Sequence, residues 1–196
     1  MAMIKGNDQV LPGLQKLVQV LDTAVAGRSA AHAYAGVRAA LPLLVGDAQV
    51  QLPALAYRPH PEHYARHELY CSREHGYCVV AMVWAPGQGA PVHDHDGRWC
   101  VEAVWSGQLE VTDWQLLEAD DDAGWRFARG ASQRQCAGDC AGLQGTAQYH
   151  SVYNPDPKKV AVSLHVYQRR LQQCTVFQAD SNGRYWPRPQ ALAADA

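Results

Sequence analysis

The sequence predicts a mainly β fold, an antiparallel barrel or sandwich preceded by helices. Three observations lead there. After Pro53 the chain runs in short segments rich in β-branched and aromatic residues: "GYCVVAMVWAPGQG", "WCVEAVWSGQLEVTDWQLL", "AQYHSVYNP", "VAVSLHVYQ" and "QCTVFQAD". Gly, Asn-Pro and Asp-Pro turns punctuate them. No helical run alternates with them, as a parallel βαβ sheet would require.

The first 55 residues read as helical. In "LPGLQKLVQVLDTAVAG", Leu11, Leu14, Val18 and Leu21 recur at intervals of three and four and make one apolar face. "RSAAHAYAGVRAALPLLVG" is Ala-rich and also helical, with Pro42 ending or kinking it. Such stripes are packing surfaces, so this segment is expected to sit on a barrel formed by residues 56–190. Segment 118–146 is polar and Gly-rich and reads as hairpins and loops with weak strands. The tail, 191–196, is expected to fray.

Composition narrows the function classes. At 196 residues, 47% of them hydrophobic, the chain has enough apolar surface for one core. A net charge of −2 gives no strong field for nucleic acid or anionic membrane. No apolar run is long enough to span a bilayer, and the N-terminus lacks a secretory pattern. A cytoplasmic location with reduced cysteines follows as the expectation. Cys136 and Cys140 lie close together but need have no role. Nothing in the sequence fixes an oligomeric state.

The histidines carry the chemistry. His93 and His95 are separated by one residue, and on a strand two such side chains face the same way. They are either metal ligands or two surface histidines in a polar turn. His150, in the strand-like "AQYHSVYN", supplies a third imidazole that an antiparallel barrel can bring beside them. Three neutral imidazoles leave a divalent ion its full charge and open positions for an anion such as a thiolate. Zinc, iron, nickel and copper all accept imidazole, so spacing does not choose the metal. His32, His60, His63, His67 and His75 show no convergent spacing and are expected to be solvated or capping. Trp99 and Trp105 read as packing residues.

These residues resemble a known pattern. Gly87, His93, His95 and Gly107 fall on the spacing of the first cupin motif, and His150 and Asn154 match the end of the second. Cys100 stands where the first motif has glutamate. That substitution is similar to the cysteine dioxygenase family of thiol-oxidising cupins, and further segments agree. "VSLHVYQ" matches a Ser-X-His-X-Tyr motif at Ser163, His165 and Tyr167, and "HYARHEL" matches a Tyr-X-Arg motif at Tyr64 and Arg66. Cys174 matches a cysteine seven residues after the motif tyrosine.

The resemblance implies an antiparallel cupin (jelly-roll-like) β-barrel with N-terminal helices. It implies Fe(II) on His93, His95 and His150, and a small thiol substrate with O2. It also implies a substrate-carboxylate clamp at Arg66, with Tyr64 in the same pocket. Tyr167 would act at the reacting oxygen or the carboxylate, oriented by His165 and aligned with Ser163. A thioether between Cys100 and Tyr167 belongs to the same pattern.

The expected reaction takes L-cysteine to cysteine sulfinate. Relatives that oxidise 3-mercaptopropionate typically carry Gln and Gly where this chain has Arg66 and Cys100, which favours cysteine. Mercaptosuccinate would need a second cation, and Arg98, Arg169 or Arg170 could supply it. In animal members a Ser-Pro-Pro run follows the motif tyrosine; here Gln168, Arg169 and Arg170 do. A non-catalytic metal-binding cupin is the alternative of another class.

Overall fold

Two antiparallel sheets face each other, with two helices laid over the outside of one of them. The computed structural model describes residues 10–145 and 148–195. Residues 1–9, 146–147 and 196 of the expected segments lie outside them. Numbered in chain order, the first sheet runs β1 (Ala65–Cys71), β2 (Cys78–Trp84), β9 (Ala161–Tyr167), β4 (Cys100–Ser106), β7 (Cys140–Leu143). The second runs β11 (Tyr185–Ala191), β10 (Gln173–Ala179), β3 (Gly89–His93), β8 (Tyr149–Tyr153), β5 (Gln108–Glu118), β6 (Arg126–Cys136). This is the mainly β, cupin-like jelly roll that the sequence predicts.

Helices α1 (Gln15–Val25) and α2 (Ala30–Leu44) cover the outer face of the first sheet. Leu17, Leu21, Val37 and Leu41 are buried there against Val79, Ala81, Val83, Val101, Ala103, Val162, Leu164 and Val166. Fully burying one such leucine contributes about 1.5–3 kcal/mol. Leu11 and Leu14, expected on the helical face, precede the helix, whereas Leu14 still packs in the same core. Ser29 caps α2 by accepting the His32 N–H, and Pro42 lies in the last turn, two residues before the helix ends.

Because β2 and β9 are buried on both faces, both read as apolar runs. Their alternation nevertheless separates two jobs. Val162, Leu164 and Val166 face the helices; Ser163, His165 and Tyr167 face the second sheet. Gly107 joins β4 to β5 at φ +77°, and a Cβ there would stand 2.8 Å from the Ala161 Cα. Only glycine fits this crossing from one sheet to the other.

Three expectations need correction. Segment 118–146 contains β6, eleven residues long and paired along β5; it looked weak because most of its side chains are exposed. The Leu192 N–H donates to the Gln172 carbonyl, and Asp195 bonds the Arg66 backbone from both its N–H and its carboxylate. Not all cysteines are reduced: Cys71 and Cys78 pair across β1 and β2 in a disulfide. His67 is neither solvated nor capping; it is buried, its Nε2 3.1 Å from the Arg58 carbonyl. Among the described residues no helix is long and apolar enough to cross a membrane.

Candidate metal centre

His93 closes β3 and lies directly opposite His150 on β8. Their Nε2 atoms stand 3.1 Å apart, too close for both to carry hydrogens and well placed to share an ion. His95 lies just past the strand rather than on it. It converges all the same, with ring centroids 5.3 Å from His93 and 5.0 Å from His150. The residue between them does the aiming. The Asp94 carboxylate accepts the N–H groups of Thr175 (2.8 Å) and Asp96 (3.2 Å), which anchors the turn to β10.

Candidate ligand atoms of the three histidines all lie within 4.8 Å of one another. Burial holds all three imidazoles below their ordinary basicity, His95 and His150 well below it. They are therefore neutral near pH 7, the form that binds metal. The donor set fits a divalent cation of the imidazole-binding kind.

Residues from the first sheet close the pocket. Arg66, His165 and Tyr167 line it together with the three histidines, and so does Cys174. The Tyr167 ring meets the His95 ring edge-on at 5.6 Å. Arg66 is buried; its Nη1 donates to the Ala193 carbonyl at 3.4 Å, while its Nε has no partner among the described residues. Tyr64 stacks on Trp84 at 4.5 Å and also lines the pocket. Free space beside the imidazoles is about 20 Å³. Arg66, Leu171 and Leu192 also border a larger cleft of about 310 Å³.

Cys100 and Tyr167 are opposite one another on β4 and β9, and the cysteine sulfur also lies 3.9 Å from His165 Nδ1. Burial pushes both groups well above their ordinary pKa values, so each holds its proton. Ser163 and His165 are linked at 2.8 Å, and the Trp84 indole N–H donates to the serine hydroxyl at 2.9 Å. The His165 nitrogens thus face Ser163 and Glu102, while its ring lies nearly parallel to that of Tyr167, 6.0 Å away.

Glu102 is the residue that sequence reasoning missed. It is buried on the inward face of β4, two positions from Cys100, with its oxygens 3.6 Å from His150 Nδ1 and 3.4 Å from His165 Nδ1. Burial, with some repulsion from Asp113, pushes its carboxyl up to about 7. The signal was available: one acidic residue inside the otherwise apolar run "CVEAV".

The other basic residues lie outside the pocket. Arg98 pairs with Asp96 at 3.2 Å and donates to the Arg170 carbonyl; Arg170 pairs with Glu68, and Arg169 is exposed. Among the described residues, Arg66 is the one Arg or Lys that lines the metal pocket.

Two solved structures are similar to part of this chain. One is an uncharacterized conserved protein with a double-stranded beta-helix domain from Klebsiella pneumoniae, with TM-score 0.46, 20% identity, 62% of this chain and 85% of that one covered. The other is an oxalate oxidase, with TM-score 0.48, 16% identity, 64% and 62% covered. Among curated proteins, cysteine dioxygenase type 1 of Danio rerio is 30% identical over 99 residues, 50% of this chain and 48% of that protein. The protein of the same name in Rattus norvegicus is 25% identical over the same coverage. The matched stretch thus spans about half the length of these relatives. The family model "Cysteine dioxygenase type I" matches residues 58–180, which takes in every histidine, arginine and tyrosine of the pocket. This chain belongs to the cysteine dioxygenase type I family.

Proposed function

We propose that the protein is an iron(II)-dependent thiol dioxygenase that takes L-cysteine and O2 to cysteine sulfinate. One observation carries the reading: Arg66 and Tyr167 face the three-histidine cluster across one small pocket, in a chain of this family. His93, His95 and His150 would hold the iron. When bound, iron supplies the attachment point for the thiolate and the electrons that activate O2. Both oxygen atoms then end on sulfur, and no other reductant is consumed.

The remaining steps fall to the chain's own residues. Arg66 clamps the substrate carboxylate, its planar fork matching two oxygens. Its burial and its unpartnered Nε support this, since an uncompensated guanidinium is costly unless an anion arrives. Tyr167 offers its hydroxyl proton to the substrate carboxylate or to the oxygen atoms being added. Tyr64 forms the wall beside Arg66. His165, fixed through Ser163, supports the ring plane of Tyr167 by stacking rather than by a hydrogen bond.

The facing of Cys100 and Tyr167 supports a thioether between Sγ and the ring carbon beside the hydroxyl. The thiol and ring hydrogens leave as two protons and two electrons, which reduce one O2 to hydrogen peroxide. The link would hold the tyrosine toward His95.

Cysteine is favoured over mercaptosuccinate by the charge distribution. A second carboxylate would need a second cation in the pocket, and Arg98, Arg169 and Arg170 are engaged elsewhere or exposed. A cytoplasmic location suits an enzyme drawing on a free thiol pool, and in that compartment Cys71 and Cys78 would be open to reduction.

Oxygen uptake by iron-loaded protein tests the reading, with L-cysteine, mercaptosuccinate and 3-mercaptopropionate compared. The highest kcat/KM is expected with cysteine. A higher value with mercaptosuccinate would replace the substrate, and no uptake with any small thiol would leave a non-catalytic metal-binding barrel.

A further inference from the structure

We infer that Glu102 is a positioning residue for the metal centre: its carboxylate accepts the Nδ1–H of His150 and of His165 and so fixes both rings. The inference rests on the reading of His150 as a metal ligand.

The hydrogen positions follow from the partners. His150 Nε2 points at His93 Nε2, 3.1 Å away, so a ligating His150 keeps its lone pair there and carries its hydrogen on Nδ1. That Nδ1 faces Glu102 at 3.6 Å. His165 is fixed by a separate chain. The Trp84 indole can only donate, and it donates to Ser163. The serine hydrogen is then free to point at His165 Nε2, 2.8 Å away. With that hydrogen on the serine, Nε2 is the acceptor and the His165 hydrogen sits on Nδ1, which faces Glu102 at 3.4 Å and the Cys100 sulfur at 3.9 Å. Two independent arguments therefore aim two N–H groups at one carboxylate.

The carboxylate itself requires such partners. Both of its oxygens are buried and neither has a hydrogen-bond partner among the described residues. A buried carboxylate without compensation costs several kcal/mol, and buried polar atoms without partners are rare. The separations are longer than a charge-assisted hydrogen bond, about 2.8 Å, and the proposal requires the Glu102 side chain to close them. The arrangement also joins the two sheets. His150 belongs to β8, while Glu102 and His165 are cross-strand partners on β4 and β9. A carboxylate behind a ligand histidine raises its basicity and fixes its ring.

Fe(II) and Co(II) binding by the metal-free full chain tests this without turnover. In Glu102→Leu the Fe(II) dissociation constant should rise about 10- to 100-fold, and the Co(II) d–d bands should shift as the ligand geometry relaxes. The melting temperature of the metal-free variant should change little, since the loss of two long N–H···O contacts is offset by no longer burying a carboxylate. A merely structural Glu102 would give the opposite pattern, with a lower melting temperature and unchanged affinity. Glu102→Gln keeps one acceptor and should fall between the two. If Glu102→Leu does not fold, the glutamine variant decides: a threefold or greater weakening supports the assignment. Fe(II) affinity within twofold of the unsubstituted chain in every variant that folds overturns it, as does a failure of the unsubstituted chain to bind either metal. Iron binding that depends on Glu102, in a protein that consumes no O2 with thiols, would sustain this inference while removing the dioxygenase reading.

Discussion

Cys100 and Tyr167 are directly opposite one another across the β4–β9 ladder, both buried. Cross-strand neighbours on one face have Cβ atoms only about 4.5–5.5 Å apart, close enough for a bond between sulfur and ring. Turnover with cysteine and O2 should therefore lower the intact mass by two hydrogen atoms. Cys100→Ala should abolish the change while still binding iron. A chain whose mass stays unchanged after many turnovers would remove the crosslink and leave the oxygenase standing.

Arg66 provides the second test. Losing a hydrogen bond to a charged group costs about 1.5–3 kcal/mol, so Arg66→Gln should lower kcat/KM for cysteine about 10- to 150-fold. Most of the loss should appear in KM. Cysteamine, a thiol without a carboxylate, should be oxidised equally well by both proteins. Equal losses on cysteamine and cysteine would show that Arg66 does not read the carboxylate.

Acid should destabilise the metal-free protein. Burial holds His93, His95, His150 and His165 below their ordinary values, His165 at about 3. In the unfolded chain these rings take up protons below about pH 6.5, which the folded protein resists. Stability is therefore intact above that value and falls as pH falls, by up to about 1.4 kcal/mol per pH unit for each histidine. Glu102 acts in the opposite sense. Its folded carboxyl, at about 7, gains a proton before the unfolded one does, so its contribution is present in acid and lost as pH rises through 7. Four groups outweigh one. The melting temperature of metal-free protein should drop steadily from pH 7 to pH 5 (calorimetry would follow it), and a flat or rising profile would contradict the buried, neutral histidines.

The disulfide between Cys71 and Cys78 closes the β1–β2 hairpin, and Cys78 lies opposite Tyr167 in the adjoining ladder. A crosslink over so short a loop contributes about 2.5 kcal/mol through the unfolded chain. Cys71→Ser, or reduction of the native protein, should lower stability by that order in denaturant titrations. Identical unfolding midpoints for oxidised and reduced protein would show that the link adds nothing.

What the sequence made legible follows from physical pattern. β2 and β9 stood out because burial on both faces demands apolar residues at nearly every position. β1 did not, because "ARHELYC" directs charged and polar groups into the interior, where propensity reads them as surface. The His93–His95 spacing suggested convergence on a strand, whereas a turn anchored by Asp94 delivers the second ring. Reading Cys100 as the replacement for a metal-shielding carboxylate left Glu102 unnoticed two residues along. The disulfide and the docking of Asp195 on Arg66 depend on strand register and distant contact, which local sequence does not encode.

The most direct test of the central claim is the fate of molecular oxygen. Iron-loaded protein given L-cysteine under ¹⁸O₂ should yield cysteine sulfinate carrying both labelled atoms, read by mass spectrometry of the product. Cystine with hydrogen peroxide, and no label in any organic product, would contradict the account.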